Sequence, residues 1–162
     1  MKYPTPGFEN KICDAGDFAA KISALPRPLV FTNGCFDVLH RGHVTYLAQA
    51  RALGASLIVG VNSDASVKRQ GKGDDRPINN EADRMAVLAA LESVDLAILF
   101  AEDTPLNLIL ACHPDVLVKG GDWQPQNIVG SKEAQGWGGI VHSIPFTHQR
   151  STTALLKKIR SL

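Results

Sequence analysis

The chain has 162 residues, 44% of them hydrophobic and 20% charged, and a formal net charge of +1 at pH 7. These values favour one globular domain with a sizeable core and exclude a disordered chain or a coiled coil. The near-neutral charge argues against a nucleic-acid partner, and no apolar stretch approaches the ~20 residues of a membrane helix. The three cysteines lack CxxC spacing and no signal segment opens the chain, so we expect a cytoplasmic protein with free thiols.

The elements of the chain alternate regularly after a proline-rich start. Residues 1–28 hold four prolines around a modest helical pattern, and we interpret them as a lead-in segment packed on a domain spanning 29–162. The predicted strands are Leu29–Thr32, Ser56–Val61, Val94–Phe100, Val116–Val118 and Ile140–Ile144. The predicted helices occupy 43–53, 80–92, 104–112, 130–136 and the stretch from Ser151 to the end. This alternation predicts an α/β fold: a Rossmann-like, doubly wound, mostly parallel five-stranded sheet with helices on both faces.

The segments that follow the predicted strands hold most of the unusual polar residues. Sheets of this kind bind ligands beyond the carboxyl ends of their strands, at the point where the strand order reverses. The segments expected to meet there are 32–43, 62–76, 101–104, 119–128 and 145–153. We therefore predict one composite site.

Two histidines, His40 and His43, bracket Gly42 at the predicted change from strand to helix. Free backbone N–H groups and the positive helix end favour phosphate at such a place, and imidazoles add hydrogen-bond donors. Gly42 lacks a Cβ, which predicts a close approach of the ligand to the backbone. The strand end has no GxGxxG turn and the chain has no GxxxxGK[ST] sequence, which excludes dinucleotide and P-loop sites of those types. No third ligand of suitable spacing accompanies the histidines, so no resident metal site is predicted.

A glycine-flanked basic run and a Lys-Gly-Gly turn form the second and third groups. Lys72 in the run 68–76 is interpreted as a lid lysine that closes over a triphosphate, the alternative being a solvated surface charge. The apolar strand ending at Lys119 leads into Gly120 and Gly121, which indicates a backbone close to a ligand, or else a plain turn. Trp123 is a candidate for stacking on a sugar or base, although tryptophan is more often a packing residue.

The run from Ser151 to Thr153 forms the fourth group, at the start of the last helix. It caps that helix and also offers hydroxyl and N–H donors to phosphates, and both interpretations hold together. Asp37 and Asp122 are candidates for contacts with metal-bound water or sugar hydroxyls.

The residues from Gly34 to His43 resemble the GxFDxxHxGH signature of the cytidylyltransferase-like nucleotidyltransferase superfamily. Later motifs resemble, in order, one branch of it, the adenylyltransferase domain of bacterial ADP-heptose synthesis. They are Asn62-Ser63-Asp64, Lys72 with Arg76-Pro77, Arg84, Lys119-Gly120-Gly121-Asp122 and Ser151-Thr152-Thr153. The resemblance runs from about residue 11 to the end. One departure is His148-Gln149-Arg150 before Ser151, where small residues are expected.

The resemblance implies transfer of AMP from ATP to D-glycero-β-D-manno-heptose 1-phosphate, giving ADP-heptose and pyrophosphate for lipopolysaccharide core biosynthesis. It implies His40, His43 and Lys72 as catalytic residues and Mg²⁺ as the cofactor that accompanies ATP. The implied nucleotide-binding residues are Thr32, Asn33, Gly34, Phe36, Gly42, Arg84, Lys119, Ser151, Thr152 and Thr153. The implied residues for the sugar 1-phosphate are Asp37, Asn62, Asp64, Gly121, Asp122 and Trp123. Arg84 has an alternative interpretation, an ion pair with Glu81 or Glu92 on its own helix.

Proteins of this branch often carry a fused sugar kinase, and we expect that kinase to be a separate protein here and the chain to be a homodimer. The main alternative is cytidylyl transfer to glycerol 3-phosphate or another small phosphate, because the base preference rests on the resemblance alone. A nucleotide-binding sensor without turnover is disfavoured, since a pure binder needs neither the two histidines nor a lid lysine. A metal-binding interaction module is the third alternative.

Overall fold

The computed structural model describes residues 3–14, 16–71, 75–148 and 151–161, where they form a six-stranded sheet. Every strand pair in the sheet is parallel, and the strand order is β1-β4-β3-β2-β5-β6. The strands are β1 (Ile12–Cys13), β2 (Leu29–Gly34), β3 (Ser56–Asn62), β4 (Leu96–Phe100), β5 (Val116–Gly120) and β6 (Ile140–Ile144). The Rossmann-like class is confirmed, with six strands instead of the predicted five. The additional strand, β1, lies within the lead-in segment, and two residues are too few for a periodic pattern to reveal.

The helices of the described residues are α1 (Phe18–Ala24), α2 (Arg41–Arg51), α3 (Asp64–Arg69), α4 (Glu81–Ala89), α5 (Leu106–Cys112), α6 (Ser131–Gly136) and α7 (Thr152–Arg160). Short 3₁₀ turns occur at Gly7–Lys11 and Pro125–Asn127. The N-cap residues of α3, α4 and α7 are Ser63, Asn80 and Ser151. The side chain of each accepts a hydrogen bond from the backbone N–H three residues later. The six-residue α3 was not predicted. None of these helices, over the ranges described, is long and apolar enough to cross a bilayer.

Helices cover both faces of the sheet, which divides the core into two clusters. Neighbouring residues of a strand belong to different clusters: Val30 packs with Leu47 and Val59, while Phe31 packs with Ile58 and Ile109. Every residue of β3 is buried. A strand covered on both faces places successive side chains in the core on either side, which accounts for the continuous apolar run from Leu57 to Val61.

The strand order reverses at β2. This strand pairs with β3 on one side and with β5 on the other, and the chain fills the first side before it crosses to the second. The reversal opens a crevice beyond the carboxyl ends of β2 and β5. Lys119 spans it, because its Nζ donates to the Asn33 carbonyl oxygen at 3.2 Å and to Asn33 Oδ1 at 3.1 Å.

Candidate active site

The histidine motif lies at the N-terminus of α2, beside the crevice. His40 is the N-cap residue, and its Nδ1 accepts from the backbone N–H of His43 at 3.4 Å. A neutral imidazole whose Nδ1 is an acceptor carries its proton on Nε2, so His40 Nε2 is a hydrogen-bond donor. The two imidazole rings stack with centroids 3.8 Å apart, and the Phe36 ring meets His43 edge-on at 5.4 Å. The packing holds both rings in a fixed orientation.

Both imidazoles are neutral at pH 7. Burial lowers the pKa of His40 below the ordinary histidine value. Burial, together with the neighbouring His40, lowers the pKa of His43 to about 4. The pair therefore offers hydrogen bonds without a permanent positive charge, and a bound polyanion would raise both pKa values.

Glycines shape this turn. A Cβ on Gly42 would lie 3.1 Å from two ring atoms of His40 and 3.2 Å from the carbonyl oxygen of His148. Gly42 thus makes room for the His40 ring and for a backbone segment, and its approach to a ligand stays a prediction. Gly34 makes room for the ring of Phe36, whose φ of 48° lies in the left-handed region.

A cleft of ≈ 280 Å³, which we call the histidine cleft, brings the motif together with the start of α7. It is lined by Cys35, Phe36, Asp37, His40, His43, Arg76, Phe146, Ser151, Thr152 and Thr153. Thr152 Oγ1 donates to the Val38 carbonyl oxygen at 3.4 Å across 114 positions of sequence. Because residues at the N-termini of both α2 and α7 line the cleft, unpaired N–H groups and two positive helix ends favour an anion there.

A second cleft of ≈ 410 Å³, the strand-end cleft, lies beyond β2, β3 and β5. It is lined by Asn33, Asn62, Gln70, Asp103, Thr104, Pro105, Lys119, Gly120, Trp123, Asn127, Ile128 and Val129. Cys35 separates the two clefts, since it lines the first and its Sγ lies 3.2 Å from Gln70 Oε1 and 3.8 Å from Asn62 Oδ1. The segments expected to meet after the first four predicted strands therefore do converge. Gln70 and residues 127–129 line this cleft but were not predicted as site residues. Their position in the segments that follow β3 and β5 was the available signal.

The two glycines of the Lys-Gly-Gly turn at the end of β5 make room for aromatic side chains of this chain. A Cβ on Gly120 would lie 2.7 Å from the Phe146 ring, and one on Gly121, whose φ is +114°, would lie 3.2 Å from Trp123 Nε1. Trp123 is half exposed, and its backbone N–H donates to Ser143 Oγ at 3.1 Å. Its indole remains accessible to a ligand. Asp122 is exposed and lines neither cleft.

Three predicted ligand contacts are used inside the protein instead. Thr32 is fully buried, and its Oγ1 lies 2.5 Å from the hydroxyl of buried Tyr46. The Asp37 carboxylate is also fully buried, where it accepts from the N–H groups of Ile78 and Asn79 at 2.8 and 2.9 Å and pairs with Arg76. Burial acts to raise the pKa of Asp37, but these hydrogen bonds outweigh it and the pKa is lowered. The structure therefore corrects both predictions: Thr32 bonds to Tyr46 in the core, and Asp37 positions Arg76.

Arg84 is the third of these buried residues, at 2% exposure. Its guanidinium donates to the carbonyl oxygens of Cys35 at 2.6 Å and Asn62 at 2.7 Å, and to Asp64 Oδ1 at 2.8 Å. It also donates to the Asn79 carbonyl oxygen. This arrangement corrects both the predicted phosphate contact and the alternative ion pair within α4. The predicted substrate residue Asp64 accepts the bond from Arg84 with one oxygen and is 31% exposed, and its contact with the sugar phosphate stays a prediction.

Two residues singled out in the sequence, Lys72 and Arg150, lie outside the described residues. Lys68 is exposed, and Arg69 pairs with Asp103 at 2.7 Å, as surface charges do. Within the described ranges, no group of three or more His, Cys, Asp or Glu side chains is arranged to hold a metal ion, and the three cysteines are free thiols.

Several known proteins are similar to this chain in sequence or in structure. The chain is 56% identical over 155 residues to the D-beta-D-heptose 1-phosphate adenylyltransferase of Bordetella bronchiseptica, covering 94% of this chain and 96% of that protein. It is also 56% identical over 160 residues to the bifunctional protein HldE of a Nitratiruptor species, of which it spans 34%. A crystal structure of a lipopolysaccharide core biosynthesis protein from Thermoplasma volcanium superposes with a TM-score of 0.60 at 29% identity, covering 75% of this chain and 98% of that one.

More distant structures share the fold alone. The pantoate-beta-alanine ligase of Francisella tularensis superposes with a TM-score of 0.61 at 16% identity, covering 88% of this chain and 68% of that one. The family model described as cytidylyltransferase-like matches residues 31–159, a range that contains most of β2, all of β3 to β6 and both clefts. With its histidine motif at the switch point of a parallel sheet, the chain is a member of the cytidylyltransferase-like family.

Proposed function

We propose that this protein transfers AMP from ATP to D-glycero-β-D-manno-heptose 1-phosphate, giving ADP-heptose and pyrophosphate for lipopolysaccharide core biosynthesis. The observation that carries the proposal is the stacked, neutral pair His40 and His43 in a cleft lined by two helix N-termini. The choice of adenylyl and heptose groups rests on the 56% identity to the heptose 1-phosphate adenylyltransferase of Bordetella bronchiseptica. This similarity does not favour the alternative of cytidylyl transfer to glycerol 3-phosphate.

The chemistry needs little from a protein base. The anionic phosphate oxygen of the sugar 1-phosphate forms a bond to the α-phosphorus of ATP, while the bond from that phosphorus to the bridging oxygen breaks. The electron pair of the broken bond leaves with pyrophosphate. Catalysis then consists of holding two anions in line and stabilising the charge of the five-coordinate centre.

The side chains divide this work between the two clefts. His40 Nε2, the His43 ring and the N–H groups at the start of α7 donate to the triphosphate in the histidine cleft. Asn62, Lys119 and Trp123 face the sugar 1-phosphate in the strand-end cleft. We expect the two substrates to meet beside Cys35, which lies between the clefts.

Mg²⁺ would bind as its complex with ATP and would supply screening of the negative charge of the triphosphate. Lys72 remains the predicted lid lysine. We propose that a sugar kinase acts upstream of this transfer. Dimerisation stays a prediction, which light scattering coupled to gel filtration measures directly.

The test is pyrophosphate release in the presence of Mg²⁺, comparing ATP with CTP and heptose 1-phosphate with no acceptor. We expect release from ATP only when the heptose 1-phosphate is present. Release from CTP in place of ATP would contradict the adenylyl assignment, and release from ATP with glycerol 3-phosphate in place of the heptose would contradict the acceptor.

A further inference from the structure

Arg76 is a buried cation in the wall of the histidine cleft, and neither the predictions nor the mechanism above assigns it a role. Its side chain is 8% exposed and lines the cleft with both histidines and the start of α7. Among the described residues that line this cleft, Arg76 is the one with a permanent positive charge. Because the histidines are neutral, this cation adds to the attraction that the two helix N-termini exert on an anion, although Asp37 offsets part of its charge.

Asp37 fixes the orientation of this guanidinium. One carboxylate oxygen of Asp37 is held by the N–H groups of Ile78 and Asn79, and the other accepts from Arg76 Nε. The Asn79 side-chain amide also donates to the Asp37 carbonyl oxygen at 2.6 Å. The acceptor is therefore anchored to the backbone before it meets the arginine.

The pairing leaves most of the guanidinium unused. Arginine has five N–H donors, and only Nε–H is used by Asp37. No acceptor for Nη1 or Nη2 is found within the part of the chain that the structure describes. A buried ion pair contributes little net stability compared with apolar side chains of the same volume, so stability alone does not account for this pair.

We propose that Arg76 binds a phosphate of the nucleotide in the histidine cleft through its two Nη groups, with Asp37 as its positioning residue. The identification of the anion as a nucleotide phosphate rests on the proposed function, whereas the phosphate contact itself does not depend on the base. Planar guanidinium groups bind phosphate oxygens with two parallel hydrogen bonds, which a lysine ammonium cannot reproduce.

The test measures binding rather than turnover. Calorimetric titration of the wild-type protein and Arg76→Gln would use three probes: Mg-ATP, Mg-pyrophosphate and adenosine. We expect the affinity for both phosphate probes to fall at least about tenfold, as charge-assisted hydrogen bonds predict, and the affinity for adenosine to stay within about twofold. Arg76→Lys keeps the charge but loses the paired donors, so we expect an intermediate loss.

Arg51→Gln is the matched control. Arg51 Nε also pairs with an aspartate, Asp95, at 2.7 Å, but this pair lies before the amino ends of β3 and β4. We expect its phosphate affinities to equal those of the wild type. Thermal unfolding of each variant identifies any that fail to fold, in which case Arg76→Lys supplies the comparison.

Equal losses of affinity for adenosine and for ATP in Arg76→Gln would show that Arg76 has only a structural role. Unchanged affinity for pyrophosphate in the folded variant would overturn the inference, and this outcome can be measured even if adenosine binds too weakly. A wild-type protein that binds pyrophosphate but not ATP would contradict the proposed function while leaving the Arg76 comparison intact. A wild-type protein that binds none of the phosphate probes would contradict both.

Discussion

The imidazole of His43 is held between the rings of His40 and Phe36, so its position depends on packing rather than on charge. Removing one preorganised donor to a developing charge typically reduces turnover by about 10²-fold or more. We expect that loss in His43→Ala, measured as pyrophosphate release at a temperature at which thermal unfolding shows the variant to be folded. His142→Ala is the control, because His142 is exposed and lines neither cleft. Wild-type turnover in folded His43→Ala would remove this histidine from the mechanism.

The low pKa of His43 also makes folding depend on pH. Its pKa is about 4 in the folded protein, below the ordinary value of 6.5, so the unfolded chain binds more protons between these two values. Stability therefore falls as the pH falls through that window, and is fully present above it. Urea unfolding at pH 7 and pH 4.5 should show a smaller pH-dependent loss in His43→Gln than in the wild type. An equal loss in both would mean that other groups account for the dependence.

At the scale of elements, three loops that build the site are joined by Arg84. Its guanidinium connects the turn after β2, the end of β3 and the residues before α4. Arg84→Gln leaves buried carbonyl groups and Asp64 without their donor, so we expect unfolding to become easier by about 3 kcal/mol or more in urea titrations. Arg69→Gln, an exposed ion pair, should change stability by less than about 1 kcal/mol. Similar stability of both variants would contradict the positioning role.

Some strands and helix starts could be predicted from the sequence, whereas the roles of several polar residues could not. The fully buried β3 was predicted because its short apolar run is rich in β-branched residues, and Asn80 and Ser151 were predicted as helix starts because capping is a local property. Thr32, Asp37 and Arg84 were assigned to ligands because polar residues near a phosphate motif look alike in sequence. Only tertiary contacts distinguish a buried polar partner from a ligand contact, and those contacts join residues that are far apart in the chain.

For the whole molecule, the lead-in segment determines how one edge of the sheet ends. Its strand β1 pairs with β4, and Cys13, Phe18 and Ile22 join the core cluster that contains Phe31 and Ile58. Without that segment, apolar side chains beside Leu96 and Ile98 would meet water and the backbone of β4 would become an open edge.

Deletion of residues 1–25 should therefore destabilise the protein by at least about 3 kcal/mol, since several partly or fully buried apolar side chains leave the core. The matched control is deletion of residues 1–6, because residues 3–6 are exposed and belong to no helix or strand. Chemical unfolding of the two truncated proteins measures the difference, and light scattering detects association through the open edge. A stable protein with the oligomeric state of the full chain after the longer deletion would show that residues 29–162 hold the sheet together alone, and that β1 only covers its edge.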